Sequence, residues 1–266
     1  MPRQSPVPLV SVLMVTYNHE KFINSAIESV ISQRVGFRYE LVIGEDCSTD
    51  RTREIVKSYE ARNQHLIRTQ LHSQNQGAQE CFLQALWACR GRYVAILEGD
   101  DYWTSPHKLQ TQVDILERHP EFSICCHRAK VIYENGNQEP WEYPMLDRTV
   151  LTLEDLLREN FIPTCSTMFR LGLLIDIPEW YRKVIVADWA LHLLLAQYGD
   201  IALIPETMSV YRVHGGGSWS KLDASTMARH RLGLFRQLEG YLPAQYTGLI
   251  RELCARYGKE SEGRLV

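Results

Sequence analysis

Three acidic side chains lie within four residues at the end of a predicted strand. Glu98, Asp100 and Asp101 follow the apolar run 93–97 directly. Carboxylates this close repel one another unless a cation or a proton lies between them. Mg²⁺ and Mn²⁺ take oxygen ligands of this kind and usually share them with substrate phosphates. The cluster predicts a site for a divalent cation and a phosphate-bearing ligand, and a solvated turn with Asp101 as a helix N-cap is the alternative.

Composition limits the class of protein that carries this cluster. The chain has 266 residues, of which 45% are hydrophobic and 23% charged, as expected for a globular protein of one large or two small domains. The formal net charge of −3 gives no electrostatic reason to expect nucleic-acid binding. No apolar run approaches the roughly 20 residues of a membrane-spanning helix, so a membrane-bound substrate would have to be met at the surface.

The seven cysteines indicate thiols rather than a disulfide framework. Their number is odd, none forms a C-x-x-C pair, and the N-terminal residues do not look like a secretory leader. We therefore expect a cytoplasmic protein whose cysteines are reduced and mostly buried.

Two periodicities alternate in the first hundred residues. Short β-rich apolar runs at 10–15, 39–43, 66–71 and 93–97 alternate with helical patterns at 22–31, after residue 50 and at 78–89. This alternation predicts an α/β fold, with a mostly parallel sheet covered by helices on both faces. The C-terminal ends of such strands share one edge, where ligands bind. The polar segments 16–18, 45–50 and 98–101 should therefore converge there.

The second half of the chain is less regular. Helices are predicted at 106–119, 187–197, 223–241 and 243–257, and a short one begins near Thr152, which is a capping-box candidate. Strands are predicted at 123–133, 201–203 and 208–213, with a surface loop at 139–149. Gly199 is expected to cap the helix before it. The glycines at 215–217, together with Trp219, form either a lid over the site or a plain connector.

Four segments in order resemble the family 2 glycosyltransferases, which have the GT-A (Rossmann-like) fold. They are 10–18 (VSVLMVTYN), 45–50 (EDCSTD), 75–77 (NQG) and 98–103 (EGDDYW), and the similarity resumes at 187–189 (ADW) and 211–214 (YRVH). The resemblance implies a nucleotide-sugar donor, a divalent metal and inversion at the anomeric carbon. It also implies a single GT-A domain, with a donor-binding half at 1–125, an acceptor-binding half at 126–225 and a C-terminal helical tail at 226–266.

The resemblance assigns roles by motif position. Asp46 would hydrogen-bond the base, Asp50 would cap the following helix or support its loop, and Glu98 stands where the family usually has aspartate, so its extra methylene leaves a direct sugar contact open. The metal ligands would be Asp100 and His214, with Asp101 as a second carboxylate ligand or a donor-sugar contact, and Mn²⁺ or Mg²⁺ as the ion. Asp188 would be the general base. The nucleotide-binding residues would be Thr16, Tyr17, Asn18, Asp46, Gly77, Glu98 and Gly99.

Each assignment has a simpler alternative. Residues 16–18 could form an ordinary turn in which Asn18 caps a helix, and Asp46 and Asp188 could also be helix caps. His214 could be a surface histidine. Lys108 and Arg212 are either phosphate contacts or surface charges, and His192 is most simply a packed, hydrogen-bonded core residue. Four aromatic residues either stack on acceptor sugars or pack: Trp141, Tyr143, Trp180 and Tyr181.

These observations predict an inverting, metal-dependent glycosyltransferase. It would move a sugar from a nucleotide diphosphate sugar, preferably UDP-linked, to a hydroxyl of a saccharide or of a lipid-linked oligosaccharide, the latter at the inner face of the membrane. One alternative is a sugar nucleotidyltransferase, but the segment 16–19 lacks the glycine-rich phosphate loop that it should have after the first strand. The other is a non-catalytic protein that binds nucleotide sugars.

Overall fold

The computed structural model describes residues 7–217 and 222–263. Trp219, which the sequence places in a candidate lid, lies outside these residues. The strands are β1 (Val10–Thr16), β2 (Tyr39–Glu45), β3 (Ile67–Leu71), β4 (Tyr93–Ile96), β5 (Tyr102–Trp103), β6 (Phe122–Tyr133), β7 (Trp141–Tyr143), β8 (Val150–Leu151), β9 (Met168–Arg170) and β10 (Asp200–Val213). The helices are α1 (Ile23–Ile31), α2 (Thr52–Arg62), α3 (Ala78–Ala88), α4 (Lys108–Arg118), α5 (Leu153–Arg158), α6 (Ala187–Leu195), α7 (Ala224–Leu238) and α8 (Thr247–Ser261).

The predicted sheet is confirmed. Its order is β3-β2-β1-β4-β9-β6-β10-β5, with β7 paired to β6 and β8 paired to β10. The first four strands are parallel, and so are β6 and β10. The short strand β9 runs antiparallel between β4 and β6 and so joins these two parallel groups. The C-terminal ends of β1, β2 and β4 therefore lie side by side at one edge.

Helices cover both faces of the sheet, as expected. Along β1, Val10, Val12 and Met14 point into one core together with apolar residues of α1, α2 and α4. Leu13 points into the other core, which is built with α3 and α5–α8. This alternation follows from the two-residue side-chain period of a strand. Packing on both faces supports the edge of the sheet at which the polar segments converge.

Some predictions for the second half are wrong in detail. The strands predicted at 201–203 and 208–213 are one strand, β10, because irregular register near Ile204 and Thr207 lets it continue through Pro205. The loop predicted at 139–149 contains β7, which pairs with β6. Gly199 is the C-cap of the 3-10 turn that continues α6, as predicted, but its φ of 163° is extended and not left-handed. The capping box at Thr152 is confirmed, with Asp155 as its partner.

The structure tests part of two further predictions, one on the cysteines and one on membrane-spanning helices. All seven cysteines are free, and five of them are buried. Within residues 7–217 and 222–263, no helix is long and apolar enough to cross a membrane.

Candidate active site

The loops after β1 and β4 are in direct contact at the site edge. The backbone N–H of Gly99 donates to the Val15 carbonyl at 3.0 Å. A Cβ atom on Gly99 would lie 2.5 Å from Thr16 Oγ1 and 2.9 Å from His19 Nδ1. Only glycine therefore lets the acidic loop approach the end of β1 this closely. This contact brings the segment 98–101 beside residues 16–19, as the sequence predicts.

The loops after β1 and β2 are linked by side chains. Asn18, which has a left-handed φ of 56°, accepts hydrogen bonds from the backbone N–H of Thr49 at 2.8 Å and from its hydroxyl at 3.2 Å. The alternative in which Asn18 caps α1 is wrong, because that helix begins five residues later. Asp50 accepts from the backbone N–H groups of Glu20 and Thr52, so it supports this loop, which is one of its two predicted roles. Tyr17 projects from the same turn and is 40% exposed.

Asp46 holds the segment before α3. Its two carboxylate oxygens accept from the backbone N–H groups of Gln76, at 2.7 Å, and Gly77, at 2.9 Å. Gly77 has φ 88° and is the residue from which α3 begins. Asp46 is buried and does not cap α2, the helix that follows it in sequence. The carboxylate thus joins the end of β2 to the 75–77 motif, and its predicted contact with a base stays a prediction.

Asp100 contacts two imidazoles. Its Oδ2 atom lies 2.9 Å from His214 Nε2 and 3.5 Å from His19 Nε2. One ligand atom from each of the three residues lies within 4.8 Å of the others, so they form a group that could hold a metal ion. Burial lowers the pKa of His19, which favours the neutral, metal-binding form of its imidazole. Asp100 and His214 are predicted ligands that the fold brings together, whereas His19 was not predicted.

The hydrogen bonds of His214 indicate the tautomer of its ring. The backbone N–H of Gly216 donates to Nδ1 at 3.1 Å, so the ring proton is on Nε2 and points at Asp100. A metal ion on Nε2 would replace that proton, and Nδ1 would then carry one. The Gly216 N–H would have to turn away from the ring.

Asp101 faces the interior. It is 1% exposed, and its Oδ1 atom accepts from the backbone N–H of Arg212 at 2.8 Å. Its Oδ2 atom is buried without a hydrogen-bond partner among the described residues. Burial, followed by the charges of Asp100 and Glu98, raises the pKa of Asp101 well above its ordinary value. Asp101 is not part of the group formed by Asp100 and the two imidazoles, and its role as a ligand stays a prediction.

Neither predicted basic residue is a free surface charge. The Arg212 side chain donates to the Asp100 carbonyl at 2.5 Å and to Ser25 Oγ at 3.1 Å, and it lies over the Tyr102 ring. These contacts of Arg212 hold the acidic loop in place. Lys108 is fully buried, with Nζ 4.0 Å from the centre of the Trp103 ring and no hydrogen-bond partner in the described ranges. Burial lowers the pKa of Lys108 to about 7.

Asp188 lies in the first turn of α6. The N-cap of α6 is Val186, so the alternative in which Asp188 caps this helix is wrong. Asn160 Nδ2 donates to Asp188 Oδ2 at 3.3 Å. Burial and then the negative charges of Asp100 and Asp188 raise the pKa of Glu98 to about 8. Glu98 thus lies within the electrostatic reach of both the metal group and the predicted base.

Comparison with known proteins assigns this arrangement to a family. A family model described as "Glycosyl transferase family 2" matches residues 11–177. The chain belongs to this family. The match spans the polar segments at the sheet edge and ends before α6, so it does not include Asp188 or His214.

Relatives and solved structures agree with the family. An uncharacterized protein of Mycobacterium tuberculosis is 42% identical over 211 residues, which are 79% of this chain and 60% of that protein, so this chain spans less than two thirds of its relative. The structure of S. aureus TarS in complex with UDP-GlcNAc has a TM-score of 0.70 at 20% identity, covering 96% of this chain and 72% of TarS. The mannosyltransferase PcManGT of Pyrobaculum calidifontis, in complex with GDP-Man and Mn²⁺, has a TM-score of 0.66 at 15% identity, covering 96% and 74%. These structures show that the fold is GT-A.

The remaining predicted residues of this family 2 chain are placed as follows. His192 is a packed, hydrogen-bonded core residue, as predicted, with Nε2 3.0 Å from Thr167 Oγ1. Tyr181 is 2% exposed and packs in the core, whereas Trp141 on β7 is 48% exposed. Tyr143 lies on the same short strand, with its ring centre 5.7 Å from that of Trp141. Trp180 is half-buried, with its ring centre 5.6 Å from that of Tyr241. Of the four aromatic candidates, Trp141 is exposed and Tyr143 is half-buried.

Sequence reasoning missed two site residues. His19 directly follows the motif segment 10–18 but is not part of it, and its signal is its position three residues after the end of β1, on the predicted binding edge. Asn160 follows α5, in a segment whose approach to α6 no local pattern reveals. Both become site residues only through contacts between distant parts of the chain.

Proposed function

We propose that this chain is an inverting, metal-dependent glycosyltransferase with Asp188 as the general base. It would transfer a sugar from a nucleotide diphosphate sugar, preferably UDP-linked, to a hydroxyl of a saccharide or lipid-linked oligosaccharide. One observation carries the proposal: beyond the effect of burial, the negative charges of Asp100, which belongs to the imidazole–carboxylate group, and of Asp188 both raise the pKa of Glu98, so the three carboxyl groups lie in one region. When the site of the leaving group and the general base lie in the same region, a single displacement can transfer the sugar.

The donor set suits a divalent metal ion. Two imidazole nitrogens and one carboxylate form a mixed ligand set, which Mn²⁺ accepts more readily than Mg²⁺, whose preference is for oxygen. We therefore propose His19, Asp100 and His214 as the protein ligands, with Mn²⁺ preferred. A bound ion would act as a Lewis acid that neutralises the charge of the departing nucleoside diphosphate. The Mn²⁺ present with the mannosyltransferase supports this choice.

Contacts with neighbouring residues hold the three proposed ligands in place. Thr16 Oγ1 lies 3.3 Å from His19 Nδ1, and Arg212 binds the carbonyl of Asp100. Such outer contacts set the orientation of ligand rings and carboxylates before the metal arrives. Asp101 accepts a hydrogen bond from the backbone N–H of Arg212 and so holds the same loop from the protein interior. We therefore propose that Asp101 supports the loop, and its predicted role as a ligand is the alternative.

The nucleotide would occupy the edge beside these ligands. Tyr17 presents an exposed ring at the end of β1, and the backbone of Thr16, Asn18, Gly77 and Gly99 surrounds the same edge. Asp46 already accepts two backbone hydrogen bonds, so a base would use its remaining lone pairs. The complex of TarS with UDP-GlcNAc supports a UDP-linked donor.

Asp188 would act on the acceptor hydroxyl. Asn160 donates to Asp188 Oδ2, which leaves Oδ1 to take the proton of the hydroxyl as it attacks. Burial raises the pKa of Glu98, and in its protonated form the side chain could donate a hydrogen bond to a donor-sugar or ribose hydroxyl. Trp141 on β7 offers an exposed ring on which an acceptor sugar could stack. A lipid-linked acceptor would bring the protein to the membrane surface.

A thermal-shift panel tests the donor assignment. UDP-, GDP-, dTDP- and CMP-sugars are added with and without Mn²⁺, and the melting temperature is recorded. We expect stabilisation by UDP-sugars that depends on Mn²⁺. Asp188→Asn should keep this stabilisation while losing the release of UDP. Metal-independent binding, or full UDP release by Asp188→Asn, would contradict the proposal, and retained binding by an inactive wild type would indicate a non-catalytic binding protein.

A further inference from the structure

A buried hydrogen bond joins the helix that carries Asp188 to the interior of the sheet. Thr167 Oγ1 and His192 Nε2 lie 3.0 Å apart, and both residues are 0% exposed. His192 follows Asp188 by four residues in α6. Residues four apart lie on the same face of a helix, with the later side chain directed back toward the earlier one. His192 therefore anchors the face of α6 from which Asp188 projects.

Thr167 is in turn fixed to the strand that leads into the acidic loop. Its carbonyl accepts from the backbone N–H of Ile96 at 3.0 Å. Ile96 is the last residue of β4 and precedes Glu98 by two residues. The Thr167–His192 pair thus forms a short connection from the base of the acidic loop to the helix of the predicted base.

Packing alone does not account for a histidine at this position. The neighbours of His192 in α6, at 189–191 and 193–195, are apolar and buried. Its Nδ1 atom is buried and has no hydrogen-bond partner within the described ranges. An unsatisfied buried polar group destabilises the folded state, and a leucine would not incur this penalty. A role other than filling space therefore explains the imidazole better.

We propose that Thr167 and His192 are positioning residues that set the distance between Asp188 and the acidic loop. The inference rests on the proposed function, because it assumes that Asp188 takes a proton while the diphosphate departs on the opposite side. Such a displacement depends on alignment, and a misplacement of about 1 Å can lower the rate by about 10²-fold. The pair acts through Asp188 and does not itself touch the substrates.

The double variant Thr167→Val/His192→Leu tests the inference. Replacing both partners by apolar groups of similar shape should leave the melting temperature equal to or above that of the wild type. UDP release from the UDP-sugar that the wild type hydrolyses should fall by about 10²-fold, with the KM for the donor changed less than twofold. Tyr39→Phe is the control, since it removes a hydroxyl that donates to the Val30 carbonyl away from the site. A rate within threefold of the wild type would overturn the inference.

The Asp188→Asn background separates positioning from general damage. If the pair acts only through Asp188, adding the double substitution to Asp188→Asn should lower the residual rate by less than twofold. A further fall of tenfold or more would show that the pair acts on something else and would overturn the inference.

Amide hydrogen exchange decides the inference independently of activity. The Ala190 N–H donates to the Val186 carbonyl at 3.0 Å in the first turn of α6. We expect its exchange to be at least about fivefold faster in the double variant and unchanged in Tyr39→Phe. Unchanged exchange in the double variant would overturn the positioning role even if the enzyme is active. Faster exchange in a protein that turns over no sugar nucleotide would show that the pair fixes the first turn of α6, and it would count against the proposed function alone.

Discussion

Asp100 and Asp101 carry the same carboxyl group, but they lie on opposite sides of the acidic loop in different surroundings. On the outer side, Asp100 lies next to the imidazoles of His19 and His214. On the inner side, Asp101 is buried and held by the backbone of Arg212. Burial raises the pKa of both carboxyl groups, but the hydrogen bond from His214 and the nearby histidine charges outweigh this for Asp100 and lower its pKa. Adjacent aspartates in one motif can therefore serve a ligand and a scaffold separately.

The largest effect is expected on the outer side. Asp100→Asn removes the carboxylate that joins both imidazoles, so the metal would be lost together with its neutralisation of the leaving group. We expect UDP release in the presence of Mn²⁺ to fall by about 10³-fold, in line with several kcal/mol of lost transition-state stabilisation. The melting temperature without metal should change little. Activity within tenfold of the wild type would show that the outer side does not bind the metal.

A smaller effect is expected for the unpredicted ligand. His19→Ala should weaken Mn²⁺ binding by at least about tenfold, because one of three protein ligands is lost. Titration followed by electron paramagnetic resonance of free Mn²⁺ measures this directly. The matched control is His65→Ala, which removes an exposed histidine elsewhere. Equal Mn²⁺ affinity in the two variants would remove His19 from the metal site.

The inner side should respond in stability rather than in metal binding. Asp101→Ala leaves the backbone N–H of Arg212 buried without an acceptor, which should cost about 1–3 kcal/mol of unfolding free energy. Asp101→Asn keeps an acceptor oxygen and should lose less. Urea denaturation and Mn²⁺ titration of both variants provide the two readouts. Loss of Mn²⁺ binding by Asp101→Asn would instead make Asp101 the ligand that the motif predicts.

The smallest effect on metal binding and activity is expected for the buried amine behind this loop. The folded protein holds Lys108 with its pKa lowered to about 7, whereas an unfolded lysine keeps its proton to about pH 10. Between these values the unfolded state binds more protons, so this residue makes folding more favourable as pH rises. Lys108→Met should therefore stabilise the protein most at pH 6. Its advantage should shrink toward pH 10, by up to about 1.4 kcal/mol per pH unit, as measured by urea denaturation across that range. An advantage that is constant with pH would mean that Lys108 stays charged when buried.

Sequence alone predicts the parallel half of the fold well, because β1 to β4 and the helices between them have clear periodicities. It does not predict β5, β8 or β9, which are only two or three residues long and exist through pairing with distant strands. The same limit applies to the site. Asp100 and His214 belong to motifs, whereas His19 and Asn160 are placed by contacts between loops that no local pattern encodes.

The central claim is that His19, Asp100 and His214 hold the metal ion of a sugar-nucleotide site. Anomalous diffraction at the manganese edge, from crystals grown with Mn²⁺ and UDP, tests it most directly. We expect a single strong peak within about 2.0–2.3 Å of the Nε2 atoms of both histidines and a carboxylate oxygen of Asp100. A peak bound to Asp101 without the two imidazoles, or no peak at this edge of the sheet, would contradict the account.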